Sequence, residues 1–215
     1  MREKKWFPVV YMFLATAFFS SVVIGFTRLT RNRVAANEAL ALERAVVHVW
    51  PQTRAKAANA AMVHQLFVEQ ATLPDEATGG AYTLRRHQGG TVAAYALPIA
   101  GQGFWAPIKG VIGIAADRKT ITGIAFYEQN ETPGLGAEIA QVPFCRQFEG
   151  KVMAPGQTPI RIRRPTVHLS ENEVHAVTGA TQTCTRLERI ICQALQQWQE
   201  QMAYRVHKKD NEQVP

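Results

Sequence analysis

The hydrophobic pattern changes character along the chain, and each change marks an element. Residues Trp6 to Phe26 read WFPVVYMFLATAFFSSVVIGF, 21 residues without a charge. At a helical rise of ~1.5 Å per residue such a run reaches ~31 Å, the depth of a bilayer's hydrocarbon core. Trp6, Phe7 and Phe26 stand near its ends, where interfacial aromatics sit. The run exceeds the apolar region of a cleaved signal peptide, and no A-x-A-like site follows it, so an uncleaved anchor is expected over residues 1–27. Arg2, Lys4 and Lys5 before it are balanced by Arg28, Arg31 and Arg33 after it, which leaves the orientation open. From Thr30 to His48 the pattern is helical, with Leu40, Leu42, Val46 and Val47 on a broad apolar side, until Pro51 stops it. Lys56 to Glu69 predicts a second helix carrying Ala60, Val63 and Phe67. Together these form an expected helical segment over residues 28–78.

Gly79-Gly80 ends the helical regime, and alternation of period two begins. Tyr82–Arg86 and Thr91–Leu97 flank Gly89-Gly90 as a hairpin, and Lys109–Ala116 and Thr120–Glu128 form another around Asp117-Arg118-Lys119. Val111, Ile112, Ile114, Ile121, Ile124, Phe126 and Tyr127 supply a core side. A short helix near Val142 to Phe148 ends at Gly150, and Arg161 to His168 reads as a further strand. The last element is a helix from about Thr183 to Val206, with Leu187, Ile190, Ile191, Ala194, Trp198 and Met202 on one face. Residues 207–215 are polar and are expected to be a disordered tail. Strands gathered between helices predict an α+β domain over residues 79–206: an antiparallel sheet with flanking helices, preceded by one N-terminal transmembrane helix.

Composition narrows the function classes. With 47% hydrophobic residues the chain can bury a core, and its formal net charge of +7 suits anionic partners. There is no finger spacing, RNP-like stretch or basic helix, so nucleic acid is not an expected partner. No GxGxxG follows a strand, which removes a Rossmann nucleotide site, and no HExxH or triad order suggests hydrolysis. Cys145, Cys184 and Cys192 have no metal-ligand spacing and are expected to be buried free thiols; no metal site and no catalytic residue is assigned. Arg161-Ile162-Arg163-Arg164 is either a solvated strand face or a patch for phosphate or an acidic redox partner.

The chemistry-bearing stretch lies just before the last helix: Val177-Thr178-Gly179-Ala180-Thr181-Gln182-Thr183. Gly179 and Ala180 let backbone approach a bulky group, and the first N–H groups of the helix point back toward the clustered hydroxyls of Thr178, Thr181 and Thr183. A helix N-terminus favours an anion by ~0.3–1 kcal/mol or more, so a phosphate fits here, free or esterified to a threonine. Hydroxyl residues before a helix are also ordinary N-caps, and local physics alone does not choose between the two. Earlier in the chain stand Glu131-Thr132-Pro133-Gly134-Leu135-Gly136, a tight turn with exposed backbone groups, and Gly101-Gln102-Gly103-Phe104-Trp105.

These three segments together resemble the family of FMN-bearing proteins found in the Na+-translocating NADH:quinone oxidoreductases (NqrC) and in the related Rnf complexes (RnfG). The family carries S/T-G-A-T, whose last threonine bears FMN through a phosphoester, and an ETPGLG segment lining the flavin. The resemblance implies Thr181 as the covalent attachment residue. It implies Glu131, Thr132, Leu135, Gly136, Thr178, Gly179, Ala180, Thr183, Phe104 and Trp105 as flavin-binding residues, with Leu135 covering a ring face. It further implies an electron-transfer subunit, not catalytic alone, relaying electrons within an ion-translocating NADH:quinone or ferredoxin oxidoreductase. Its partners are then the other subunits of a membrane redox complex, an FMN transferase and the bilayer. Its place is the inner membrane, single-pass, with the domain on the periplasmic side. Ile121 to Glu138 is closer to the NqrC pattern than to that of RnfG. One departure stands out: His175 takes the place of the family's Asp three residues before the S/T, an Asp that belongs to the pattern read by the transferase. Two other readings stay beside this one: an FMN carrier of another extracytoplasmic chain, and a flavin-free membrane-anchored interaction module in which Thr181 only caps a helix.

Overall fold

A computed structural model describes residues 6–85 and 91–212. The chain divides into two units, one through Leu40 and the other from Ala41 onward. The first unit is helix throughout its described length apart from Trp6, and belongs to α1 (Phe7–His48). The apolar run and the helix expected after it are thus continuous, because no helix breaker separates Phe26 from His48. The apolar part of α1 is unburied and long and apolar enough to cross a membrane.

The second unit is built on a five-stranded antiparallel sheet in chain order: β1 (Ala71–Thr72), β2 (Tyr82–Arg85), β3 (Val92–Gln102), β4 (Pro107–Ala115) and β5 (Ile121–Glu128). Alternation along β3 divides its side chains between two cores. Tyr95, Leu97 and Ile99 join Ile112 and Ile114 of β4 beneath Leu187, Ile191, Leu195 and Trp198 of the last helix, α5 (Thr181–Glu212). Ala94 and Ala96, with Val111, face Ala45, Val46, Val49 and Trp50 at the end of α1 and just beyond it. Small side chains on that face let the helix end lie close; the Trp50 indole N–H reaches the Tyr95 carbonyl at 3.3 Å. Burying the large apolar side chains of either layer contributes roughly 1.5–3 kcal/mol each, which sets the alternation as the main determinant of register. Helices therefore cover both faces of an antiparallel sheet, the α+β architecture the pattern predicts.

Several boundaries differ from the sequence reading for identifiable reasons. β3 runs past Pro98 to Gln102, because β2 pairs with it only as far as Ala96 and proline's missing N–H has no neighbour to serve on that side. Residues 51–54 form a short helix, α2 (Pro51–Arg54), and α3 (Ala60–Gln70) starts later than Lys56 because Asn59 caps it, its side chain accepting the Met62 N–H at 2.9 Å. The Gly89-Gly90 hairpin lies outside the described residues. A 3₁₀ turn (Gly136–Ala140) leads into α4 (Val142–Arg146). The strand expected over Arg161–His168 shrinks to β6 (Arg161–Arg163), since Pro165 has no N–H to continue the ladder, and β6 pairs in parallel with β7 (Glu173–His175) in a separate two-stranded sheet. His175 is therefore a strand residue. α5 continues to Glu212, so residues 207–212 of the expected tail are helical, and residues 213–215 lie outside the described residues.

All three cysteines are free, Cys184 and Cys192 buried and Cys145 partly so. Burial pushes the Cys145 thiol up to about 11, and its S–H points to the Ile139 carbonyl at 3.4 Å. Only about one thiol in a thousand is then thiolate at pH 8. Cys145 is accordingly expected to alkylate with iodoacetamide at least tenfold more slowly than a free cysteine at pH 8, a rate that mass-resolved labelling reads directly.

Candidate flavin site

The three motifs meet at the start of α5, and the side chain that joins them is Glu131. It is 5% exposed. One carboxylate oxygen accepts the Trp105 backbone N–H at 3.0 Å; the other accepts the Thr183 hydroxyl at 2.7 Å. Its own N–H donates to the Gln129 side-chain carbonyl at 2.8 Å. Among the described residues the carboxylate has no cationic partner; it is held by neutral donors alone. A buried charge must be satisfied by hydrogen bonds, and these two bonds tie the turn after β3, the segment after β5 and the first turn of α5 to one atom group.

Two glycines make this packing possible. A Cβ on Gly103 would lie 2.5 Å from the Glu131 Oε1, and one on Gly136 would lie 2.6 Å from the Thr183 Oγ1. Gly103 also donates its N–H to the Ala106 carbonyl at 2.9 Å, closing the turn that presents Phe104 and Trp105. Those two rings meet edge to face at 5.0 Å and remain exposed, Trp105 at 66%. In the next segment the Thr132 carbonyl accepts the N–H groups of Leu135 and Ala137, both at 3.1 Å, which folds the PGLG turn and leaves Leu135 exposed. Gly179, at φ +80°, brings the TGAT loop against it; a Cβ there would lie 2.9 Å from a Leu135 methyl.

At the foot of α5 the Ala180 carbonyl accepts the Cys184 N–H at 3.0 Å, so Ala180 occupies the N-cap position and Thr181 the first helical one. Alanine has no side chain to cap with. Thr183 faces inward to Glu131, and Thr181 is exposed, its hydroxyl taking no part in the hydrogen bonds among the described residues. The reading of Thr181 as a cap thus has no geometric support. The first-turn N–H groups of Thr181, Gln182 and Thr183 remain beside that free hydroxyl, an anion-favouring end of a long helix. An esterified phosphate on Thr181, next to a surface of Leu135, Phe104 and Trp105 able to receive an aromatic ring, fits these residues.

The residues expected to bind flavin therefore separate into two groups. Glu131, Gly136, Ala180 and Thr183 are buried and hold the segments together, whereas Phe104, Trp105, Thr132, Leu135, Thr178, Gly179 and Thr181 are exposed. Two further residues join them that the motifs do not contain. Gln129 supports Glu131, and Arg186 sets its guanidinium 5.9 Å from the centre of the Phe104 ring, a cation–π contact. The clue to Arg186 is its spacing, three residues after Thr183 on the same helix face. His175 is gripped by Gln147, which accepts its N–H at 2.8 Å and donates to its carbonyl at 3.3 Å, while its Nδ1 is buried without a partner among the described residues. Of the basic run, Arg163 pairs with Glu173 at 3.2 Å, so part of it serves the parallel strand pair.

Comparison with known proteins points the same way. Residues 103–196 match the model of the FMN-binding domain family, a stretch that takes in all of ETPGLG and TGAT and begins inside the Gly-Phe-Trp turn. The chain is 33% identical over 102 residues to NqrC of the Na(+)-translocating NADH-quinone reductase from Pasteurella multocida, covering 46% of this chain and 39% of that protein. It is 35% identical over 102 residues to the protein of the same name from Neisseria meningitidis serogroup B, covering 46% and 40%. The matched stretch thus spans about two fifths of the length of these curated relatives. Two solved structures share the fold: NqrC of the Parabacteroides distasonis Na(+)-translocating NADH-quinone reductase, with a TM-score of 0.64 at 20% identity, and Shewanella oneidensis NqrC, with 0.65 at 18%. Each covers 79% of this chain, and the match spans 95% and 99% of the respective structures.

Proposed function

We propose that this chain, which carries an FMN-binding domain over residues 103–196, is a membrane-anchored electron-transfer subunit holding FMN through a phosphoester on Thr181. The observation that carries this reading is the exposed, unbonded Thr181 hydroxyl at the start of α5, set beside Leu135, Phe104 and Trp105 by the buried Glu131. FMN, once bound, supplies the redox chemistry and accepts or gives single electrons. The protein's part is positional. The helix end favours the phosphate, Leu135 and the Phe104–Trp105 pair offer ring-sized apolar surface, and Glu131 keeps these parts in register. Glu131 itself is a strut and not a direct ring contact, since both its oxygens are engaged inward.

The relatives named as reductase subunits suggest the setting: one component of an NADH:quinone oxidoreductase of the Na+-translocating kind, with neighbouring subunits as electron donor and acceptor. The apolar run of α1 is its anchor in the inner membrane, the domain lies on the periplasmic side, and an FMN transferase loads the site. The intact mass of the protein purified from its own membrane tests the covalent bond. One FMN per chain is the expected result; the mass of the bare polypeptide would overturn it.

His175 makes a second measurement informative. If the transferase reads an acidic residue at this position, His175→Asp raises the flavinylated fraction on coexpression with a transferase that accepts the family pattern, read as the in-gel fluorescence of denatured protein. An unchanged fraction means that the enzyme loading this chain does not read position 175.

A further inference from the structure

A second concavity lies in the domain away from the motifs. It occupies about 380 Å³ between the end of α1, strand β5 and the segment leading into α4. Ala41 and Ala45 on α1, Ala125 on β5 and Ala140 before α4 line it, and these short side chains create the space. Phe126, Ile124 and Val142 complete the apolar wall. Volumes of ~300–1,000 Å³ with mainly apolar walls and few polar groups are typical of small-molecule sites.

The basic groups of this site, Arg44 and His48, one helical turn apart, stand exposed at the rim, and no carboxylate lines the cavity. Three acids on the flanking elements are engaged elsewhere: Glu43 with His64 at 2.9 Å, Glu149 with Arg54 at 2.6 Å, and Glu128 with Lys109 at 2.7 Å. We propose that this cavity binds a free amphipathic acid, its apolar body between Ala41, Ala125 and Ala140 and its acidic head on Arg44, with His48 beside it. The size sets a limit of a short or folded acyl chain or one aromatic ring system. The site is distinct from the flavin motifs and does not depend on the reading of Thr181.

The probe is octanoate, titrated into the full chain in nanodiscs of zwitterionic lipid, with empty nanodiscs as the blank. Saturable one-to-one binding above the blank is expected, together with slower alkylation of Cys145, which lines the cavity. Ala41→Leu and Ala140→Leu fill the space from opposite walls, so that a fold defect in one leaves the other informative; each is expected to abolish binding. Arg44→Gln is expected to weaken octanoate about tenfold while leaving 1-octanol unaffected. Binding that survives both filling variants, or octanol binding as tightly as octanoate, would overturn the proposal. So would octanoate binding that is lost whenever the nanodisc contains anionic lipid, which would assign the head-group contact to the bilayer instead of a free acid.

Discussion

Thr181→Ala is expected to remove covalent flavin completely while leaving the fold intact. The two halves of this result have separate physical origins. Attachment needs a hydroxyl at this position, and alanine has none. Stability does not need it, because the Thr181 side chain is exposed and unbonded and the N-cap position belongs to Ala180. A surface substitution of this kind changes stability by no more than about 0.5 kcal/mol, whereas loss of a working cap costs about 1 kcal/mol. In-gel fluorescence and intact mass read the first half, and thermal melting of the flavin-free forms reads the second. A flavin band that persists in Thr181→Ala would move the attachment elsewhere, with Thr178 and Thr185 the nearest exposed hydroxyls. A clear drop in melting temperature would restore the capping role.

Glu131→Ala is expected to have the opposite profile. It deletes both acceptors at once and leaves the Trp105 N–H and the buried Thr183 hydroxyl without partners. Each orphaned donor costs ~1–3 kcal/mol, so a loss of about 2–6 kcal/mol is expected by chemical denaturation. Flavin loading is expected to fall with it, because the Phe104–Trp105 turn is no longer fixed against α5. Glu131→Gln separates the two possible causes. A carboxamide keeps one oxygen for the Trp105 N–H and turns an amide N–H toward the Thr183 oxygen, reversing that bond, so the packing is kept while the charge disappears. Near-native stability and loading in Glu131→Gln would identify the hydrogen bonds as the working part; a Gln variant as damaged as Ala would assign the role to the charge.

How much of this is legible in the sequence depends on the range of the interaction. The alternation in β3, β4 and β5 and the apolar face of α5 are local patterns, and they place the sheet and its helical cover. The continuation of β3 through Pro98 is hidden, since it depends on how far β2 reaches alongside. The parallel pairing of β6 with β7 is hidden likewise: three-residue strands joined by an irregular segment have too little periodicity to announce themselves. At the site, motif matching selects segments but does not separate inward from outward side chains. A motif presents Glu131 as a polar group offered to a ligand, and it is a buried strut. Thr183 and Gly136 fall among the ligand residues by the same logic, and they pack against that strut. Arg186 escapes the motifs because its contact is with a ring far away in sequence.

The strut also bears on when the site comes into being. Trp105 and Glu131 are 26 residues apart, and Glu131 and Thr183 are 52 apart. The longer closure costs only about 0.6 kcal/mol more than the shorter, but the two together demand that β3, β5 and α5 have already docked. An unfinished chain carries the TGAT letters without the shape, and the free threonine beside its apolar neighbours exists only on a folded domain. Loading of Thr181 would then act as a late checkpoint in maturation, passed by chains whose sheet and last helix have joined.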